Sequence, residues 1–194
     1  MSFLLNSFLS PYLLRDTFTD ANGTLLTAHA MDVGPGWTLH EGTCPTIQSN
    51  RASLAGDVGC VCSDAGRADV VARSTASVGT ADANHVIAVV VRCMDGNNFW
   101  QAALFGNGFF AIYDRTGGTF TMHASTSLGA LTVGVGYTIE VTASGASITA
   151  TVNGGNQISY GSATFNQTVT HHGIRIFSGD ATPNTHDDFE AVSA

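Results

Sequence analysis

Between Tyr137 and Val152, apolar and polar residues change places at almost every step. Tyr137, Ile139 and Val141 alternate with Thr138, Glu140 and Thr142; past Ser144-Gly145, Ile148, Ala150 and Val152 alternate with Thr149 and Thr151. A period of two on both sides of a glycine-containing turn predicts a β-hairpin with one buried and one wet face. Asn153-Gly154-Gly155-Asn156 supplies the next turn, through residues that tolerate positive φ. HVIAVVVRC, His85–Cys93, is a nearly continuous apolar run, as expected of a central strand. Turns at Asp95–Asn98, Gly106–Gly108 and Thr116–Gly118 then separate FWQAALF, FFAIYD and TFTMHAS, so this region reads as a meander. Convincing helical periodicity is confined to residues 3–14, where Pro11 disrupts it. Many short strands, with no repeat, linker or low-complexity tract between them, predict one all-β sandwich or barrel.

Composition narrows the class. The 194 residues are 44% hydrophobic and only 11% charged, enough to bury a core without staples. The polar surface is left to Thr, Ser, Asn and Gly, a composition common in extracellular and virion β-proteins. All seven basic residues are arginines, scattered singly, and the formal charge is −8. A nucleic-acid groove and a polybasic membrane anchor both need clustered basic side chains, so neither partner is expected. The opening MSFLLNSFLSPYLLRD lacks a basic n-region and a small-x-small cleavage site, and it is too short to span a bilayer. It is expected to be retained as a short apolar arm, residues 1–15, ahead of a domain over 16–194. Of the four cysteines, Cys60 and Cys62 share a face if extended, which suits neither a mutual disulfide nor a zinc knuckle. Buried thiols are expected for Cys44, Cys60, Cys62 and Cys93.

Asp16–Thr38, DTFTDANGTLLTAHAMDVGPGWT, resembles the opening of concanavalin A-like, laminin-G-like jelly-roll domains. NNFWQAALF, FFAIYDRTGGTFT and GVGYTIEVTASGASITATVNG are similar to the core hairpins of that family, and HHGIRIFSG with HDDFEAV to its closing strands. The resemblance spans about residues 16–192. It implies an all-β, two-sheet antiparallel jelly-roll sandwich, with Trp37 and Phe189 in the core. For function it is weak, because this sandwich hosts lectins, glycanases, adhesion modules and phage structural proteins alike.

The candidate chemistry is sparse. In the closing segment Phe189 and Ala191 fall on one face and Asp188, Glu190 and Val192 on the other, so the acids read as the wet flank of a core strand. The alternative is a calcium site that includes Asp187 or Asp188; no other cofactor is expected. His171 and His172 point to opposite faces and read as strand residues. Glycanases on this fold carry paired glutamates on one strand, whereas Glu41, Glu140 and Glu190 lie far apart in sequence. No nucleophile elbow, zinc-protease helix or phosphate loop occurs, and no catalytic residue is assigned. Phe99 and Trp100 are consecutive, so one of them faces the core and the other a groove or partner. Trp100 with Tyr113 across the neighbouring hairpin is the candidate ligand surface.

Three functions follow as expectations. The first is a non-enzymatic virion structural protein of a tailed phage, a capsid decoration or tail component, assembled in the host cytoplasm. Its arm (Phe3, Leu4, Leu5, Phe8, Leu9, Tyr12, Leu13 and Leu14) would tether it to other virion proteins or to copies of itself. The second is a carbohydrate-binding or adhesion module with glycan partners. The third is a sugar hydrolase-like enzyme.

Overall fold

A computed structural model describes residues 10–194. In chain order the first strands are β1 (Tyr12–Asp16), β2 (Thr38–Gly42), β3 (Thr46–Ile47), β4 (Ala52–Leu54) and β5 (Val58–Asp64). Then come β6 (Val70–Ser77), β7 (His85–Asp95), β8 (Asn98–Phe105), β9 (Phe109–Thr116) and β10 (Thr119–Ser127). The last are β11 (Tyr137–Ser144), β12 (Ser147–Val152), β13 (Gly155–Tyr160), β14 (His171–Ser178) and β15 (Asn184–Ser193). Among the described residues one antiparallel sheet runs β13-β12-β11-β6-β15-β4-β3, with β1 added on β15; the other runs β10-β9-β8-β7-β14-β5-β2. The two sheets form a jelly-roll sandwich. The predicted hairpin is β11–β12, and the predicted meander is β7–β10.

Period-two alternation puts one set of side chains from each sheet between them. Val61, Val89, Ala102, Leu104, Ile112 and Ile174 share a core with Ala72, Ile139, Val141, Ile148 and Ala150. Burying these faces is the main driving force for closing the sandwich. β7 is buried on both faces: Val86, Ala88 and Val90 point away from the core yet are 5%, 0% and 0% exposed. That is why its sequence reads as an unbroken apolar run.

The opening segment is pinned by one carboxylate. Asp16 Oδ1 accepts from the Phe18 amide at 2.6 Å and pairs with His29 Nε2 at 3.0 Å; Oδ2 accepts from Trp37 Nε1 at 2.5 Å. His29 Nδ1 reaches Asp20 Oδ2 at 3.1 Å. Burial works against the imidazolium, but the bonds to Asp20 and Asp16 outweigh it and raise the His29 pKa. Trp37, held by Asp16, lies between Phe18 and Phe189, with ring centroids 6.1 and 5.2 Å away. Both Trp37 and Phe189 are core residues.

The arm divides differently from the sequence expectation. Tyr12, Leu14, Arg15 and Asp16 pair with β15, and Leu14 is fully buried. Tyr12, Leu13 and Leu14 therefore belong to a strand of the sandwich and not to a tether outside it, because an apolar strand beside β15 finds both backbone partners and a core there. Phe3, Leu4, Leu5, Phe8 and Leu9 lie outside the described residues.

Two predictions follow from the core. Ile148 is fully buried on the inner face of β12, so Ile148→Ala should cost about 2–5 kcal/mol in urea unfolding; a negligible loss would mean that its face is not packed. The second concerns acid. His172 accepts the Arg92 amide on Nδ1 and places Nε2 2.8 Å from the Arg67 carbonyl, the pattern of a neutral ring. Burial pushes its pKa down to about 4, and that of fully enclosed His186 down to about 3. The unfolded chain protonates both near pH 6.5, the fold only below these values. Their contribution is thus complete above pH 6.5 and is lost as pH falls toward 4, at roughly 2–3 kcal/mol per pH unit for the pair. Urea titrations across that window should show this slope, and His186→Gln should lower it by about half; a flat profile would contradict neutral rings.

Candidate functional site

The outer face of the β10-to-β2 sheet is built by the alternate set of the same strands. One cross-strand row runs Cys62, Gly173, Val90, Gln101, Tyr113 and Met122 across β5, β14, β7, β8, β9 and β10. Past the intervening row of Arg175, Ala88 and Ala103 on the same face, Phe177, Val86 and Phe105 form a second row. Gln101 and Tyr113 of the first row and Val86, Phe105 and Phe177 of the second shape, with Phe120 and Arg175, an open groove of about 330 Å³. Phe105 lies tilted against Tyr113 and Tyr113 edge-on to Phe120, with centroids 6.4 and 6.1 Å apart. Burial raises the Tyr113 pKa, so its hydroxyl stays a donor at neutral pH. Gln101 is 4% exposed, and its Oε1 has no hydrogen-bond partner.

The groove borders a charged clamp. Glu41 Oε1 accepts from Arg115 Nη1 at 2.5 Å, and Oε2 from Arg175 Nε at 2.8 Å. The two guanidinium carbons sit 5.0 and 5.3 Å from the Phe120 ring centroid. Cation–π contact from both arginines holds this edge-strand ring upright at the rim, where it is 39% exposed.

Trp100 does not join the groove. Its cross-strand partner is Asp114, whereas Tyr113 pairs with Gln101, so Trp100 and Tyr113 lie on opposite faces of the sheet. Trp100 is 2% exposed, donates Nε1 to the Phe165 carbonyl at 2.9 Å, and packs against His123 and Tyr160 in the core. It is Phe99 that faces outward. Strand parity alone could have separated Trp100 from Tyr113, had the register between β8 and β9 been known. Gln101, Phe105, Phe120, Arg175 and Phe177 carried no sequence signal, because single aromatic and polar residues on a strand look like ordinary surface.

The acidic residues occupy the other sheet. Glu140, Arg73, Glu190 and Arg15 are successive cross-strand neighbours over β11, β6, β15 and β1. Arg73 reaches Glu190 at 2.6 Å and Glu140 at 3.8 Å. This ladder of alternating charge satisfies itself. A cavity of about 420 Å³ above it is also lined by Asp16 and Asp188, but its aromatic residue, Phe189, is fully buried. The two residues of the calcium alternative have arginine neighbours. Asp187 Oδ2 faces Arg51 Nε at 3.4 Å, Asp188 shares its cavity with Arg15 and Arg73, and Asp16 is engaged by His29 and Trp37. Among the described residues neither Asp187 nor Asp188 belongs to a cluster of three metal-capable groups. His172 is buried in the sheet, and His171 packs against His40 at 6.0 Å.

No protein-family model and no curated protein sequence matches the chain. Solved structures do. The carbohydrate binding module CBM66 from Bacillus subtilis superposes with a TM-score of 0.67 at 16% identity, over 81% of this chain and 95% of that one. The beta-glucanase of Bacillus licheniformis gives 0.60 at 13% identity, over 93% and 97%. The GH43 protein BlXynB from Bacillus licheniformis gives 0.68 at 12% identity, over 93% of this chain but only 39% of that enzyme. At these identities the likeness establishes the fold. The clamp itself makes a prediction: Glu41→Ala leaves two largely buried guanidinium groups without their carboxylate and should destabilise by on the order of 3 kcal/mol. Thermal unfolding measures this, and an unchanged midpoint would mean that the clamp is open in solution.

Proposed function

We propose that this domain is a non-catalytic glycan-binding module and that the groove on the outer face of the β10-to-β2 sheet is its binding site. The observation that carries this is an open groove walled by Phe105, Tyr113, Phe120 and Phe177, with Arg175 as a polar group among them. A sugar ring has an apolar face that stacks on aromatic rings and an equatorial belt of hydroxyls that hydrogen-bond to polar groups at a groove's rim. Tyr113, Arg175 and the Glu41 carboxylate add donors and acceptors around it. The carbohydrate binding module, the beta-glucanase and the GH43 protein share the fold, which fits this reading without fixing the sugar.

The arrangement argues for binding over hydrolysis. Glycoside cleavage needs two carboxyl groups flanking one bond. The groove is bordered by Glu41 alone among the glutamates, and both of its oxygens are held by arginines. Glu140 and Glu190 sit on the opposite sheet around Arg73. The virion reading drew on the apolar N-terminal segment, part of which is β1; the groove residues call for no such assembly role.

Affinity electrophoresis and calorimetry against neutral polysaccharides, β-glucan and xylan among them, test the proposal. At least one glycan should bind, and Tyr113→Ala with Phe120→Ala should weaken it tenfold or more while leaving the circular dichroism spectrum unchanged. No reducing sugar should be released. Binding that survives the double substitution, or is lost instead in Glu190→Gln, would place the site elsewhere.

A further inference from the structure

Three thiols and an imidazole meet at the other end of the outer face. Cys60, Cys62 and Cys93 pack with Val90 and Phe99 as a small buried cluster, separate from the main core. The Cys60 and Cys62 sulfurs are 4.0 Å apart. One ring nitrogen of His40 and the sulfurs of Cys62 and Cys93 all lie within 4.8 Å of one another, and Cys60 adjoins this trio through Cys62 without belonging to it. His40 Nε2 is enclosed and has no hydrogen-bond partner.

Regular strand geometry would not assemble this group. Cys60 and Cys62 are two apart on β5 and share the outer face by parity. Cys93 is three positions from outward-facing Val90 and would turn inward on a regular strand. It is re-aimed by an irregularity: Arg92, Cys93 and Met94 lie opposite Phe99 alone, and Arg92 has a φ of 53°. A left-handed conformation in a non-glycine residue costs free energy and concentrates at bulges that redirect a side chain. His40 is likewise the extra residue of a second irregularity, between the pairs Leu39–Val61 and Glu41–Cys60. Two glycines make room. A Cβ on Gly173 would fall 2.0 Å from the Val61 carbonyl oxygen, and one on Gly96 would fall 2.1 Å from that of His40. The β7–β8 turn is thereby pressed against His40.

We propose that His40, Cys60, Cys62 and Cys93 form a tetrahedral site for a zinc ion. Thiolate and imidazole are the ligand types zinc selects, and Cys₃His is a standard closed set. Zn–S bonds of about 2.3 Å at tetrahedral angles require sulfur separations of about 3.7–3.8 Å. The 4.0 Å between Cys60 and Cys62 is within a small side-chain adjustment of that. The orphaned imidazole nitrogen, Nε2, gains its missing partner through metal coordination. Part of the surplus negative charge of three thiolates over one zinc is offset next door by Arg115 and Arg175, which together exceed Glu41 by one positive charge, while the nearby Asp95 carboxylate works against it. The ion ties edge strand β2 to β5 and β7, and so braces the clamp that borders the groove. Its role is structural, with all four positions filled by protein.

The full chain, purified without chelator from zinc-supplemented cells, should carry one zinc per molecule by plasma mass spectrometry. Stripping it under denaturant and reducing agent, then refolding with cobalt, should give the intense visible d–d bands of a tetrahedral cobalt–thiolate site. Chelation should lower the melting temperature, and zinc should restore it. Cys62→Ser and His40→Asn should lose the zinc, while Cys44→Ser, whose thiol sits apart beside Thr27 and Pro45, should keep it. Should the serine variant fail to fold, the cobalt spectrum of the unaltered chain still decides. Absence of both zinc and cobalt bands from the native sequence, a native mass showing an oxidised cysteine pair, or full zinc content in His40→Asn would each overturn the proposal. None of these outcomes depends on a glycan being bound.

Discussion

Two sheets packed face to face leave each strand one free set of side chains, and everything functional in this protein is arranged within that restriction. The inner set is committed to the core by burial, which at about 25 cal/mol per Å² supplies the stability of a domain with few charges. Chemistry is thus confined to the outer faces, the strand ends and the places where alternation breaks. The outer faces have diverged. One carries the Glu140–Arg73–Glu190–Arg15 ladder, whose charges cancel one another. The other carries aromatic rings, thiols and a bordering carboxylate held by two arginines.

Breaks in alternation are where polar and apolar demands were reconciled. β15 pairs with β4 through residues 184–186 and with β1 through 189–192, and its register against β6 shifts between Asp187 and Glu190. Asp188, at a φ of 50°, takes up the irregularity. That shift lets Phe189 reach Trp37 in the core and leaves the acids outside. Similar irregularities at His40 and around Arg92 turn side chains toward Cys60 and Cys62. The distortion at Arg92 is held in place by the buried guanidinium, which bonds the Asp69 carboxylate at 2.7 Å and the Ala68 carbonyl at 3.3 Å.

The aromatic groove and the thiol cluster share one continuous row of cross-strand neighbours, from Cys62 to Met122. Glu41 links them physically. It is the cross-strand neighbour of Cys60, and its carboxylate fixes the arginines that flank Phe120. Order at the β2 edge is therefore transmitted to the aromatic rim through hydrogen bonds and cation–π contacts, not through the core.

Local pattern was sufficient for the fold. Alternation around Ile139 and Ile148, the apolar run of β7 and the glycine turns are short-range consequences of strand geometry, and they specify hairpins without reference to the rest of the chain. Trp37 and Phe189 were also legible, through the resemblance carried by Asp16–Thr38 and the closing strands. What the sequence could not contain was register between strands distant in the chain and the positions where alternation fails. Trp100 and Tyr113 read as neighbours until the β8–β9 pairing set them on opposite faces. Tyr12 to Leu14 read as an arm until β15 offered them a partner. Cys60 and Cys62 read as a pair of packing thiols; only tertiary structure, by bulging two further strands, brought Cys93 and His40 beside Cys62. A contact between residues 40, 62 and 93 depends on loop closure and sheet order, which are properties of the folded whole and leave no local trace in the amino-acid pattern.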